Sequence, residues 1–473
     1  MVLLTNDDKL YDELLLVVKL FYTPEQIESL NISINHSYQL NNDVLRNTIA
    51  ITGEISATQN REDILTGDML TTKKYKYLKR YAKLLLYKTL STMLNIQLPW
   101  GALTGIRPTK LLYELKAEEG GSLILATNRL IKEFYVSPEK AEITKQIILN
   151  QNCIEKNDKL VNLYVHIPFC PTKCSYCSFI SNGLDHCNHL LEPYLQALMH
   201  EITETKKMLH SNNYIVKTVY IGGGTPTVLS SEQLSKLLDC IGYKTKEFTV
   251  ESGRPDTITK DKLDVMKNYG VTRICVNPQS FSDRTLKNIG RHHTSNSVIE
   301  AYKLALPYNF DVNMDLIAGL DGESLATFKK SLNKAIELYP ENITVHTLSI
   351  KRASTLHEVK GVTSSANETT KMVDYATKTL IKNGYKPYYL YKQKNMVGNL
   401  ENIGYFRDGK VNIFNIDSME EVASIVACGA GAVSKRYFSA TDRIERFGQL
   451  KNIREYITRI DEMIAKKNKL FTD

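Results

Sequence analysis

Short runs of apolar and β-branched residues recur between residues 160 and 350, separated by longer segments of mixed polarity. Runs of this length that are rich in valine, isoleucine and threonine are typical of strands. The clearest are VNLYVHI from residue 161, KTVYIGG from 217, EFTVES from 247, VTRICVN from 271, DVNMDLIAG from 311 and ITVHTLSI from 343. Each run is predicted to form a strand.

The segments between these runs have helical periodicity, as in LEPYLQALMHEITETKKML, SEQLSKLLDCI, KDKLDVMKNYG and LATFKKSLNKAIELY. Strands that alternate with amphipathic helices indicate an α/β fold with a parallel sheet. Six strand runs are too few for the eight of a complete barrel, so the pattern predicts an open, TIM-like partial (β/α)6 barrel. Reactive groups are then expected at the carboxyl ends of the strands.

The chain has 473 residues, which is enough for at least two packed domains. A polar stretch, NQNCIEKND at residues 150–158, has the character of a linker. We therefore predict an N-terminal α+β domain over residues 1–155 and the partial barrel over 156–384. Residues 385–473, with YKPYYLYKQKN and VACGAGAVS, are predicted to be a small C-terminal extension of the barrel.

The first twenty residues mix apolar runs with acidic residues and lack a basic start, so they do not predict a signal peptide. No later apolar run approaches the roughly 20 residues that span a bilayer. We therefore expect a cytoplasmic protein without stable membrane insertion. The formal net charge of +8 suits an anionic small molecule. No basic run is interleaved with an aromatic stacking platform, so a nucleic-acid partner is not predicted.

Cys170, Cys174 and Cys177 form a CxxxCxxC loop directly after the first predicted strand. Iron–sulfur clusters are held by cysteine thiolates, and three ligands would leave one iron of a [4Fe–4S] cluster open. An open iron can bind a small chelating ligand, such as the amino and carboxylate groups of S-adenosylmethionine (SAM). The alternative is a zinc site of three cysteines and one histidine. The nearby histidines are His166, His186 and His189.

Three strings make a more specific pattern: YVHIPFCPTKCSYCSF, IGGGTPT at 221–227 and QSFSDRTLKNIGR at 279–291. Together they resemble the oxygen-independent coproporphyrinogen III oxidase family of radical SAM proteins, over residues 160 to 440. WGALTGIRPTKLLYEL at 100–115 and NMVGNLENIGYF at 395–406 resemble the subgroup called HemZ. The resemblance implies a [4Fe–4S] cluster on the three cysteines and at least one bound SAM.

The resemblance also implies which residues contact SAM, although it names no catalytic residue. Contacts to the first SAM would come from Tyr164, Tyr176, Gly223, Glu251 and Val433. A second SAM would be contacted by Gly224, Thr225, Gln279, Arg291, Asp315 and Ser349.

The reaction that the resemblance implies is the oxidative decarboxylation of coproporphyrinogen III to protoporphyrinogen IX, with electrons from an unidentified donor. SAM cleavage would give a radical that takes a hydrogen from a propionate side chain, and loss of CO2 and an electron would leave a vinyl group. Basic residues could pair the substrate carboxylates, or they could be ordinary surface charges. They are Arg107, Lys110, Lys351 and Arg352.

Phe179 departs from the oxidase pattern, which has a further cysteine at this position, and resembles the heme-chaperone branch instead. One alternative is therefore a heme-binding or heme-delivery protein of the same family without oxidase activity. Another is a different radical SAM reaction on heme. Measuring whether the protein converts a tetrapyrrole distinguishes these hypotheses.

Overall fold

The computed structural model describes residues 1–53, 56–105, 107–179, 181–349, 365–393 and 399–472. The chain divides into two compact units, Met1–Lys145 and Gln146–Asp473.

The N-terminal unit is built on a four-stranded sheet. Its strands, in sheet order, are β1 (Val2–Thr5), β2 (Ile32–Asn41), β3 (Val44–Gly53) and β4 (Ala57–Ile64). Strand β1 is parallel to β2, and β2, β3 and β4 form an antiparallel meander. The helices are α1 (Asp8–Val18), α2 (Pro24–Ser29), α3 (Lys74–Leu94), α4 (Pro108–Glu118) and α5 (Leu123–Lys132), and α6 (Pro138–Leu149) crosses the division between the units.

One face of the N-terminal sheet is apolar because side chains alternate across a strand. In β3 this alternation buries Leu45, Ile49 and Ile51. Helix α3 packs against β3 and β4 and buries Leu78 and Leu85 on its inner side. The unit therefore has a hydrophobic core of its own.

The second unit contains the predicted barrel. Its six consecutive parallel strands are β5 (Leu160–Ile167), β8 (Ile215–Gly223), β9 (Glu247–Val250), β10 (Arg273–Cys275), β11 (Asp311–Ala318) and β12 (Asn342–Thr347), and the short pair β6 (Phe169–Cys170) and β7 (Asn182–Gly183) follows β5. Every residue of β9 and β10 is buried, as expected for parallel strands that are covered on both faces. All six predicted strands are confirmed.

Residues after 385 extend this sheet at both edges. The added strands are β13 (Lys386–Tyr391), β14 (Asn402–Phe406), β15 (Ser424–Cys428), β16 (Val433–Phe438) and β17 (Arg443–Gly448). Strand β14 is antiparallel to β12, with β13 outside it, whereas β15 is parallel to β5 and leads into the β16–β17 hairpin. Among the described residues the sheet thus has eleven strands, and residues 424–428 lie directly beside the strand that precedes the cysteine loop.

Helices fill the connections between the strands. They are α7 (Leu184–Cys187), α8 (Leu191–Ser211), α9 (Ser231–Ile241), α10 (Lys260–Asn268), α11 (Asp283–Asn288), α12 (Ser295–Ala305), α13 (Leu325–Leu338), α14 (Ala366–Lys382), α15 (Ile413–Glu420), α16 (Ile453–Thr458) and α17 (Ile460–Thr472). Within the described ranges, no helix combines the length and the apolar character needed to cross a membrane.

A buried ion pair ties the last helix to the barrel. Lys467 of α17 donates to Glu201 of α8 at 2.5 Å, and both side chains are fully buried. The carboxylate of Glu201 also accepts hydrogen bonds from the Tyr456 hydroxyl at 2.5 Å and from the backbone N–H of Gly429 at 2.8 Å. Removing one partner of this pair would leave the other charge buried without a counter-charge, which strongly destabilises the fold.

Candidate active site

A cavity lies at the carboxyl ends of the parallel strands. Cys170, Cys174 and Cys177 are all part of its wall. Nine of the other predicted site residues also line it: Tyr176, Gly223, Gly224, Thr225, Glu251, Gln279, Arg291, Asp315 and Ser349. The fold therefore brings the cysteine loop and most of the predicted contacts to one place.

Backbone hydrogen bonds hold the cysteine loop, both to the segment after α11 and within the loop itself. The Ser175 N–H donates to the Ile289 carbonyl at 3.1 Å, and the Cys177 N–H donates to the Cys174 carbonyl at 3.1 Å. The Thr225 hydroxyl lies 3.5 Å from the Cys170 sulfur. Burial raises the pKa of Cys177 to about 11 and also raises that of Cys170. Without a positively charged ligand these thiols stay protonated, and a metal reverses that preference.

The thiols do not form a site for a single ion. Within the part of the chain that the structure describes, no three His, Cys, Asp or Glu side chains are grouped closely enough to hold one metal ion. Zinc requires such a group, because all ligands lie about 2.3 Å from one centre. In a [4Fe–4S] cluster each thiolate binds a different iron, so the thiolates stand farther apart around a shared space. Three cysteines spread over one cavity fit the cluster.

Of the three histidines proposed for the zinc alternative, two lie at the surface. The His166 Nδ1 lies 3.1 Å from the Tyr164 hydroxyl. The side chain of His186 is 86% exposed. His189 is at the surface, where its Nε2 lies 3.0 Å from an Nη2 of Arg454. The surface positions of His186 and His189 therefore do not favour them as a fourth zinc ligand.

The GGGTPT turn is packed against protein atoms. Gly223 has φ +106°, and a Cβ there would lie 2.7 Å from the His166 ring. A Cβ on Gly224 would lie 2.4 Å from the Phe169 carbonyl oxygen and 2.9 Å from that of Ile167. Gly223 and Gly224 are both among the predicted SAM contacts. In the structure, their small size allows the end of β8 to lie close to the segment that leads into Cys170.

Glu251, directly after β9, faces the cavity and is held by two donors. Its carboxylate accepts hydrogen bonds from the Tyr220 hydroxyl and, at 3.2 Å, from the Gly223 N–H. Burial raises the pKa of Glu251 to about 7, against the effect of these hydrogen bonds. The group can therefore exist in either protonation state near neutral pH.

Asp315 is the centre of a polar group on another wall of the cavity. It accepts hydrogen bonds from the side-chain amides of Asn277 at 2.7 Å and Asn313 at 2.8 Å. The Nε2 of His346 lies 3.6 Å from Asp315, and the Nδ1 of His346 lies 3.4 Å from the Tyr391 hydroxyl. Burial alone would raise the pKa of Asp315, but His346 and the hydrogen bonds from Asn313 and Thr344 lower it overall. Asp315 is thus an anion beside a histidine.

Gln279 and Arg291 are both buried polar residues at the cavity. Gln279 has φ +62°, a strained conformation for this residue type, and its Oε1 has no hydrogen-bond partner among the described residues. Arg291 donates to the Asn277 carbonyl at 2.7 Å. Burial opposes the charge of Arg291, but Tyr176 and Cys174 beside it raise its pKa above the ordinary value. The cavity wall thus contains both a hydrogen-bond acceptor, the Gln279 Oε1, and a cation, the Arg291 guanidinium.

Two predicted SAM contacts lie outside the cavity wall, as far as the described residues define it. Tyr164 stands behind Glu251 and stacks on Phe414, with ring centroids 5.9 Å apart. Val433 begins β16, and its side chain is 43% exposed.

Two of the four basic residues predicted to pair carboxylates belong to the part of the chain that the structure describes. Arg107 and Lys110 belong to the N-terminal unit, where they flank the start of α4. Lys351 and Arg352 lie outside the described residues.

The sequence did not single out Arg254, Asn277, His346 or Tyr391, although all four line the cavity. Asn277 and His346 follow or end a strand, so the rule that sites form at carboxyl ends of strands would have found them. Arg254 and Tyr391 carried no comparable signal.

Comparison with known proteins places this site in a family. Residues 164–335 match the radical SAM superfamily model. Over 438 residues the chain is 37% identical to the oxygen-independent coproporphyrinogen-III oxidase-like protein HemZ of Bacillus subtilis (strain 168), covering 89% of this chain and 87% of that protein. The chain belongs to the HemZ group of the radical SAM superfamily. The resemblance read from the sequence is confirmed, and this family uses a [4Fe–4S] cluster and SAM.

Other relatives share less of the chain. The heme chaperone HemW of B. subtilis (strain 168) is 36% identical over 195 residues, which are 40% of this chain and 50% of HemW. HemW of Escherichia coli (strain K12) is 35% identical over 198 residues and is likewise matched over about half its length, 51%. The solved structure of coproporphyrinogen III oxidase (HemN) from E. coli, described as a radical SAM enzyme, covers 67% of this chain and is covered over 72% of its own length, with a TM-score of 0.50 and 20% identity. The HemZ-group chain thus shares the HemN fold, and the predicted partial barrel is confirmed.

Proposed function

We propose that Cys170, Cys174 and Cys177 hold a [4Fe–4S] cluster and that SAM binds beside it in the cavity. The observation that supports this most strongly is the convergence of three separated thiols with a carboxylate, an unpartnered amide oxygen and a buried guanidinium on one cavity. When bound, the cluster would supply one electron for the reductive cleavage of SAM. The residues of the chain itself would bind and orient SAM and the substrate.

Each wall of the cavity suits a different part of SAM. Glu251 can accept a hydrogen bond from an amine or a ribose hydroxyl, and it is fixed by the Gly223 N–H. Asp315 is an anion that suits a positively charged group such as the sulfonium or an ammonium. Gln279 and Arg291 offer an acceptor and a donor for a second ligand molecule.

For the overall reaction we propose the oxidative decarboxylation of coproporphyrinogen III to protoporphyrinogen IX. For each propionate, one electron from a separate donor cleaves SAM, and the electron that the substrate radical releases with CO2 passes to a separate one-electron acceptor. The HemZ relative matches this chain almost end to end and is named as oxidase-like. Phe179 lies at the cavity and is 66% exposed, so its ring is available to pack against the pyrrole rings of a tetrapyrrole. Exposed aromatic rings of this kind are stabilised when a ligand covers them.

The test is an anaerobic incubation of the reconstituted protein with SAM, dithionite and coproporphyrinogen III, followed by mass analysis. Each converted propionate should lose CO2 and two hydrogens, and 5'-deoxyadenosine should accumulate. Cys174→Ala should abolish the iron–sulfur absorbance and both products. Cys240→Ala is the matched control, because Cys240 contacts Met199 and Thr203 away from the cavity. Unchanged porphyrin with the native protein would reject the proposed reaction.

Heme binding without oxidase activity is the second candidate. Phe179 stands where the oxidase pattern has a cysteine, and the HemW chaperones share the barrel segment with this chain. If heme delivery is the function, the protein should bind heme stoichiometrically and leave coproporphyrinogen III intact under the same conditions. Bound heme and converted coproporphyrinogen III are both measured under the same conditions, so the experiment distinguishes the two candidate functions directly.

A further inference from the structure

Arg254 is a buried cation that contacts the cysteine loop. It follows β9 and lines the cavity, and its side chain is 4% exposed. Its Nη1 donates to the Thr172 hydroxyl at 3.1 Å. Thr172 lies between Cys170 and Cys174 in the cysteine loop. The contact therefore places a positive charge against the loop that carries the three thiols.

The guanidinium is held in one orientation. Asp256 accepts from its Nε and Nη2, each at 2.9 Å. The backbone of the same turn is fixed as well, because the Thr257 hydroxyl donates to the Arg254 carbonyl at 2.7 Å and lies 2.6 Å from the Thr227 hydroxyl. A planar guanidinium can bridge a carboxylate and a hydroxyl at once, which a lysine ammonium on a flexible stem does less well.

We propose that Arg254 is a positioning residue that fixes the cysteine loop and raises the reduction potential of the cluster bound there. The inference rests on the proposed cluster site. A thiolate-ligated cluster becomes more negative when it gains an electron, so a fixed cation beside it stabilises the reduced form. Water screens this charge poorly because the guanidinium is buried. Asp256 opposes the effect in part.

The test is a potentiometric titration of the full-length, reconstituted protein without SAM, followed by the EPR signal of the reduced cluster. Arg254→Gln should lower the equilibrium constant for reduction about tenfold, which is about 59 mV for one electron. Asp256→Asn should shift the potential in the opposite direction, because it removes the negative charge that offsets Arg254. Arg284→Gln is the matched control and should leave the potential unchanged, because Arg284 is exposed on α11.

Opposite shifts in the first two variants support an electrostatic role, whereas a loop that is merely loosened would move both potentials the same way. A shift in Arg254→Gln of less than twofold in the equilibrium constant, or parallel shifts, would overturn the inference. If Arg254→Gln retains no iron, Arg254→Lys and Asp256→Asn decide: the lysine variant should stay within threefold of the native value but lose iron faster to a chelator. A native protein without a [4Fe–4S] signal would instead overturn the cluster site itself.

Discussion

Replacing Gly224 by alanine tests whether the turn after β8 sets the position of the cysteine loop. The new Cβ would lie 2.4 Å from the Phe169 carbonyl oxygen and 2.9 Å from the Ile167 carbonyl oxygen. Overpacking a tight site costs about 1–3 kcal/mol. These obstacles are backbone atoms that accept hydrogen bonds from Gly224 and Thr225 at 2.8 and 2.7 Å, so moving them weakens bonds of about 1 kcal/mol each. We expect a loss of about 3 kcal/mol.

The assay separates the two units of the chain. Trp100, the single tryptophan, reports on Met1–Lys145, while circular dichroism follows the unfolding of the whole chain in denaturant, so a transition seen by dichroism alone belongs to the second unit. Gly224→Ala should destabilise the second unit alone and lower the iron bound after reconstitution, because Phe169 directly precedes Cys170. Gly448→Ala is the control, since a Cβ there meets nothing within 4 Å. If Gly224→Ala unfolds within 0.5 kcal/mol of the native protein and binds as much iron, the packing argument is wrong.

Two further predictions concern buried charges. The pKa of Glu251 in the folded protein, about 7, exceeds its ordinary value of 4.5, so the folded state binds the extra proton and stability should fall by at most about 3 kcal/mol as the pH rises from about 4.5 to 7. Glu251→Gln should flatten that part of the curve of unfolding free energy against pH, and an unchanged slope would contradict the assignment. Lys467→Met leaves Glu201 buried without its cation and should cost about 3–5 kcal/mol in denaturant unfolding. Adding Glu201→Gln should recover much of that loss, and a single-variant loss below about 1 kcal/mol would show that the pair matters little.

The sequence predicted the barrel strands because each buried strand is a local run of apolar and β-branched residues. It did not predict that Ser424–Cys428 would pair in parallel with Val161–Val165. These segments lie far apart in the chain, and their pairing depends on the whole sheet. The spacing of the cysteines likewise predicted a metal-binding loop from local information alone.

The candidate site shows the same limit. Arg254 was not predicted, because an arginine beside an aspartate in a loop is usually an exposed ion pair of little consequence. Its contact with the cysteine loop is made through Thr172, which is 82 residues away in sequence. The packing role of Gly224 was not predicted, because the carbonyl groups that exclude a Cβ come from another strand end. Residue type and spacing locate such a site, whereas tertiary contacts decide what each residue does in it.

The cavity itself bears on the choice between oxidase and heme carrier. Heme iron takes its axial ligand from histidine, cysteine, methionine or tyrosine. Apart from the three cysteines, the described cavity residues of these types are Tyr176, His346 and Tyr391. Tyr176 lies against Arg291, and both nitrogens of His346 face partners, Asp315 at 3.6 Å and Tyr391 at 3.4 Å. Heme ligation here would have to break one of these contacts. We therefore expect His346→Ala to leave the heme titration, followed by the Soret band, within twofold of the native protein, and a lost Soret shift would favour the carrier function instead.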